Sequence, residues 1–470
     1  MSRNRREPNH NEKVRPVQLG RTYTFPITGL GHSGEGVGRV EGFTVFVRYA
    51  LPEETVTVVI EEVRANFARG RLIRVETSDP QRVSPLCPVY EACGGCQLQH
   101  LSYAGQLAAK YQSVQDAMQR IGKLADVTIK PVLGMDDPWR YRNKAQFPVG
   151  RMGEKIVTGC FAAGSHEIIP TDNCLIQHSL NDRLLTAVRR IAASVGVAPY
   201  DEKTGQGVLR HVMGRVGSAT GEVMAVLVTA ARDFPGNEEL VQQLKAAIPE
   251  LTSIQQNINQ ARTNVILGRE TRVLWGTPVI HDHIGRFSFQ ISAESFFQVN
   301  AVQTQVLYEK AVQAAGLTGG ETVFDLYSGT GTISLFLAEH STQVYGIEYS
   351  PAAVADAERN ATANKIHNVQ FIAGDVAAKI VELQKKGIRP DVIVLDPPRA
   401  GCEEIVLKTA AEMGPTRMVY VSCNPATLAR DLALLDEMGY KTVEIQPVDM
   451  FPQTYHVECV VLLERKHATV

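Results

Sequence analysis

Apolar and polar residues alternate in short runs over residues 16–76, at 23–27, 43–47, 55–60 and 72–75, with glycine-rich links between them. A period of two over four to eight residues is that of a strand with one buried face, so these runs predict a small barrel-like β-domain. Gly29, Gly31, Gly34, Gly36 and Gly38 crowd the link before Arg39. Tight turns and close backbone approach favour glycine there, and they explain the cluster better than a phosphate cradle.

Further along, Leu107, Tyr111, Val114, Met118 and Ile121 recur at helical spacing and predict a helix with a core-facing stripe. Residues 125–285 read as a mixed, strand-rich region with a helix near 179–194. Past residue 290 the pattern becomes regular: apolar runs at 323–326, 344–347, 369–372, 392–395 and 418–421 have the composition of strands buried on both faces. Between them, Ile333/Phe336/Leu337, Val354/Ala357/Ala361 and Leu428/Leu432/Leu435 hold helical spacing. Such alternation predicts a doubly wound α/β domain over 291–470, with ligands at the carboxyl ends of its strands. The expected organisation is a basic arm (1–15), a β-barrel (16–76), a central domain (77–290) and this α/β domain.

Composition narrows the class. At 470 residues, 44% hydrophobic and 21% charged, the chain has the core-forming content of several globular domains, not of a disordered or collagen-like protein. A formal net charge of −2 argues at first against a polyanionic partner. The average hides a gradient, because residues 1–150 carry 20 basic and 15 acidic side chains, leaving 28 and 35 for the remainder. Any polyanion is therefore expected on the first third, which opens with Arg3, Arg5, Arg6, Lys13 and Arg15 as a solvated, disordered arm. No apolar run reaches the ~18 residues of a membrane span and no signal-peptide core opens the chain, so a cytoplasmic protein without membrane contact is expected. In that compartment eight cysteines divide among buried hydrophobes, metal ligands and nucleophiles rather than disulfides.

The strand ends carry the chemistry. Asp325-Leu-Tyr327-Ser-Gly329-Thr-Gly331-Thr332 leads straight into a helix, a turn that brings a ligand close to backbone N–H groups. The third glycine of a dinucleotide fingerprint is missing. Glu348 ends the second strand 17 positions after Gly331 and can accept both ribose hydroxyls, while Asp375 ends the third strand facing the adenine. An adenosine cofactor without pyrophosphate fits, and S-adenosylmethionine is one. Strands four and five run into Asp396-Pro-Pro398-Arg399 and Ser422-Cys423-Asn424-Pro425. Next to a helix N-terminus, Cys423 is expected to have a lowered pKa. Glu458 interrupts the apolar run of the last strand, as either a surface residue or a general base. Thiolate addition at carbon 6 of a uracil turns carbon 5 into a nucleophile for the sulfonium methyl, and a carboxylate then removes the carbon 5 proton.

These residues resemble the RNA uracil-5-methyltransferases, in particular the bacterial 23S rRNA branch. Gly36-Val-Gly-Arg39 and Val45-Phe-Val47 are similar to its OB-like, RNA-binding TRAM domain. Ser295-Phe-Phe297-Gln298-Val-Asn300, the Asp325–Gly331 turn, Asp396-Pro-Pro-Arg399, Ser422-Cys-Asn-Pro425 and His456-Val-Glu-Cys459 match its signatures in order. The resemblance implies a Rossmann-like class I methyltransferase domain, a TRAM barrel and a mixed central domain. It implies Cys423 as nucleophile, Glu458 as proton-abstracting base, and Gln298, Tyr327, Glu348 and Asp396 as S-adenosylmethionine contacts. It also implies that Cys87, Cys93, Cys96 and Cys174 hold a [4Fe–4S] cluster; spacing alone shows only that Cys93-Gly-Gly-Cys96 can bite one metal centre, and zinc would satisfy it as well. Cys160, Cys402 and Cys459 are left without a task.

Domain content favours 23S rRNA over tRNA as substrate, since the tRNA branch typically lacks both barrel and cluster cysteines. No obligate protein partner is implied. A cytosine-5-methyltransferase would carry a second cysteine where Asp396-Pro-Pro398 stands, and a radical methylthiotransferase needs C-x3-C-x2-C, which is absent. A nonenzymatic RNA-binding or assembly factor is opposed by the presence of Cys423, Glu458 and the cofactor turn.

Overall fold

A computed structural model describes residues 15–466, so Arg3, Arg5, Arg6 and Lys13 of the expected arm lie outside the described residues. One compact unit runs to Pro85 and takes in Gln97–Gly105; the other comprises Leu86–Cys96 and the chain from Gln106 onward.

The first unit is a closed barrel of five strands, ordered Thr22–Leu30, Gly36–Val40, Phe43–Val47, Phe67–Thr77 and Thr55–Val63. Alternation sends Phe25, Ile27, Val45, Val47, Val56, Val58 and Ile60 into its core. The glycine cluster is partly strand rather than link. A Cβ on Gly36 would lie 2.7 Å from the carbonyl oxygen of Ala50, and one on Gly38 would lie 2.5 Å from the Phe25 ring. The two glycines let the strand Gly36–Val40 close against its neighbours, which a period-two search for large apolar residues misses.

In the second unit, a seven-stranded sheet runs in the order Glu270–Gly276, Leu251–Ile258, Val223–Thr229, Leu209–Val216, Lys144–Met152, Lys155–Phe161 and Ile168–Pro170. The helices Ser179–Ser194 and Asn237–Ala247 cover it through Leu184, Leu185, Val188, Ile191, Leu240 and Leu244.

An eight-stranded sheet is ordered Val369–Ala373, Gln343–Glu348, Thr322–Leu326, Val392–Leu395, Arg417–Ser422, Glu458–Arg465, Tyr440–Val448 and Thr128–Ile129. Its first five strands are parallel and Glu458–Arg465 runs antiparallel to Arg417–Ser422. Successive residues serve opposite faces: Val323, Val344, Val394 and Val419 join one core, and Phe324, Leu326, Ile393 and Met418 the other. Burial on both faces explains the apolar character of the four inner parallel strands, whereas the edge strand Val369–Ala373 leaves Gln370 exposed. All five parallel strands therefore deliver their carboxyl ends to one edge.

The helix Tyr103–Ala117 departs from the expected stripe. It buries Gln106, Lys110, Val114 and Ala117, whereas Leu107 and Tyr111 are half-buried and Ile121, in the next turn, is 48% exposed. Val114 and Met118 are buried as expected, so the departure is confined to the earlier turns, where polar partners draw Gln106 and Lys110 inward.

Candidate active site

A cavity of about 1370 Å³ opens at the carboxyl edge of the parallel strands. Gln298, Tyr327, Glu348, Asp375, Asp396, Cys423 and Glu458 all line it. Its floor is the turn after Thr322–Leu326. There Tyr327 has φ 69°, rare for a bulky side chain, and Gly329 and Gly331 have φ 55° and 77°. A Cβ on Gly331 would sit 2.7 Å from the Phe371 ring, so this position needs glycine for space as well as for its backbone conformation. The N–H groups of Gly329 and Ser350 donate to the Glu348 carboxylate at 3.0 and 2.8 Å, which fixes that acid at the cavity wall. Asp375 caps the helix Val376–Lys385 by accepting from the N–H of Ala378 at 2.9 Å.

Asn424 ties the two reactive loops together. Its side chain caps the helix Pro425–Glu437 and its Nδ2 donates to the carbonyl oxygen of Arg399 at 3.1 Å. Ser422 pairs with Cys459 across antiparallel strands, so Cys423 and Glu458 stand one step beyond that pair, side by side at the cavity.

The electrostatics of this corner reverse one expectation. Burial pushes the Cys423 thiol up to about 11, the Glu458 charge adds to that, and Arg399 opposes it. Cys423 is thus a protonated thiol at neutral pH in the ligand-free protein; low polarity outweighs the helix N-terminus from which a lowered value was expected. Burial likewise raises Glu458 to about 7 and Asp325 to about 7, and raises Asp396 well above the usual carboxylate range with the charges of Glu458 and Asp325 contributing. Three buried acids facing one cavity suit a cationic ligand. His456 is lowered to about 4 by burial and by Arg399, Lys110 and Arg142, so its imidazole is neutral.

Two aromatic neighbours part company: Phe297 is buried, while Phe296 is 68% exposed on the cavity rim.

Cys87, Cys93, Cys96 and Cys174 gather in one neighbourhood of the second unit. Cys93 stands beside Cys160, and their interaction lowers the Cys93 thiol and raises that of Cys160; Cys96 and Cys174 also act on Cys160, and Cys93 on Cys87. Cys160, to which the sequence assigned nothing, is therefore a fifth thiol of this group; a Cβ on Gly95 would touch Cys93 Sγ at 3.4 Å and Cys160 Sγ at 3.7 Å. Among the described residues, no three His, Cys, Asp or Glu side chains stand in metal-holding geometry. Cys402 and Cys459 are buried elsewhere.

Fold and cavity together define a Rossmann-like methyltransferase that uses S-adenosylmethionine. The family described as tRNA (Uracil-5-)-methyltransferase matches residues 238–466, and the TRAM domain matches residues 16–73. RNA methyltransferases of Bacillus cereus and Halalkalibacterium halodurans are 50% and 49% identical to this chain over 96% of its length and over 98% and 99% of theirs. A crystal structure of Pyrococcus abyssi tRNA (uracil-54, C5)-methyltransferase with S-adenosyl-L-homocysteine superposes with a TM-score of 0.76 at 27% identity, covering 94% of this chain and 99% of that one. The chain belongs to the RNA uracil-5-methyltransferase family.

Proposed function

We propose that this protein forms 5-methyluridine in 23S rRNA through a covalent adduct between Cys423 and carbon 6 of the target uracil. The observation that carries this reading is the pairing of Cys423 and Glu458 at adjacent strand ends, in the cavity that also holds Glu348 and Gln298. In the cycle, Cys423 gives up its proton to a neighbouring carboxylate as its sulfur bonds carbon 6. Carbon 5 then takes the methyl group, releasing S-adenosylhomocysteine. Glu458 removes the carbon 5 proton, and the carbon–sulfur bond breaks to restore the cysteine and the double bond. One proton is released per methyl transferred. Glu348 holds the ribose, Gln298, Tyr327 and Asp396 complete the cofactor site, and the barrel grips RNA outside the target base, in a cytoplasmic enzyme.

Cys87, Cys93, Cys96 and Cys174 would hold a [4Fe–4S] cluster, which would supply a structural cross-link when bound. The convergence of these soft thiols in one neighbourhood supports that donor set. A tRNA target is the second reading. It is supported by the likeness, over 94% of this chain, to the Pyrococcus abyssi enzyme, whose named substrate is tRNA. Transcripts of both classes carrying tritium at uracil carbon 5 decide between them. Cofactor-dependent release from the large-subunit rRNA is expected, and release from tRNA alone would overturn the rRNA assignment.

A further inference from the structure

The segment between Val448 and Glu458 forms one wall of the cavity through Phe451 and His456 and then delivers Glu458. It has no ladder partners of its own over most of its length, and side chains from distant parts of the chain hold it instead. Lys110 Nζ donates to Asp449 Oδ1 at 2.5 Å and to the carbonyl oxygen of Phe451 at 3.1 Å. Gln106 Nε2 donates to Gln453 Oε1 at 3.0 Å, and its Oε1 accepts the Gln453 N–H at 2.9 Å. Gln453 sits at φ 71°, so this double bond secures a backbone conformation that glutamine seldom adopts. Tyr141 donates to the carbonyl oxygen of Pro452 at 2.9 Å.

The Lys110–Asp449 pair is 1% and 0% exposed. Burying two charges costs several kcal/mol per ion, and a pair this deep is commonly no better for stability than apolar side chains of equal volume. Its distinguishing property is direction: an ammonium with three donors can fix a carboxylate and a carbonyl at once, which a methyl group cannot.

We propose that Lys110, assisted by Gln106, is a positioning residue for proton abstraction: it clamps the 449–457 segment so that Glu458 stands against carbon 5 of the methylated adduct. The proposal rests on Glu458 being the base. Because Cys423 and the cofactor turn are carried by other strands, loosening the clamp leaves carbon–sulfur bond formation and methyl transfer largely in place and slows the elimination that follows.

The test is single-turnover kinetics of the full chain on tritiated RNA with Lys110→Met, and with the volume-matched pair Lys110→Met/Asp449→Leu, which leaves no buried charge unpaired should the single variant fail to fold. Expected is tritium release slower by about 10- to 100-fold, methyl transfer slowed by less than about threefold, a denaturation-resistant protein–RNA adduct that accumulates, and unaltered affinity for S-adenosylhomocysteine. Equal slowing of both steps without an adduct, or wild-type release in the folded double variant, overturns the proposal. Absence of any adduct or methyl transfer in the wild type would instead remove the underlying reading of the site.

Discussion

Cys423 has been left as a thiol of high pKa beside carboxyls that are themselves hard to ionise. On the proposed mechanism the cofactor's sulfonium would supply the positive charge that this corner lacks, which would couple thiol activation to cofactor binding. Glu458→Gln should still add sulfur to the ring and transfer the methyl group, then stall; the expected result is full methyl incorporation into a covalent complex with tritium release reduced by at least about 100-fold. The pH dependence follows from burial. Glu458 works as a base only when ionised, so the elimination rate should climb as pH rises through about 7 and level off above it. Stability runs the other way. Asp325 is held near 7 in the folded chain against an ordinary carboxylate value when unfolded, so the proton it retains stabilises the fold at low pH. That contribution is lost as pH rises from the unfolded value to about 7. Thermal melts of the ligand-free protein should show the decline, and Asp325→Asn should flatten it. That Tyr327, Glu348, Asp396 and Cys423 line one cavity was legible because strand ends are local properties. The sense of the Cys423 shift was not, because helix geometry is local while desolvation depends on elements far away in sequence. Cys160 was hidden for the same reason.

At the scale of elements, the parallel strands were readable because the inner four are largely buried on both faces and all five are only four to six residues long. The strand Tyr440–Val448 was not anticipated: it carries Lys441, Glu444 and Gln446, and its polar positions face different surroundings along its length. The helix Tyr103–Ala117 misled for a clearer reason. Periodicity counts apolar residues, and here Gln106 and Lys110 lie inward because their partners are Gln453 and Asp449. Helix caps carry comparable weight near the site. Asn300, fully buried, accepts the Gln303 N–H at 3.2 Å at the head of Ala301–Ala315 and donates to the carbonyl oxygen of Met450 at 3.0 Å. Asn300→Ala removes the cap and leaves a buried carbonyl short of a donor, so a loss of about 2 kcal/mol is expected in denaturant titration.

For the whole molecule, net charge pointed away from RNA because it averages over surfaces that do different things. Iron content offers a separate check on the thiol group. Anaerobically purified protein is expected to be brown with about four irons per chain, and Cys93→Ser to be colourless. Zinc in colourless wild-type protein would reject the cluster. The central claim, that Cys423 bonds the ring, is tested most directly with RNA carrying 5-fluorouridine at the target, since fluorine at carbon 5 cannot be removed as a proton. Peptide mapping of the complex formed with S-adenosylmethionine should place a methylated fluorouridine on Cys423 and find no complex with Cys423→Ala. A complex of equal yield in that variant, or none with the wild type on RNA that it methylates, would contradict the account.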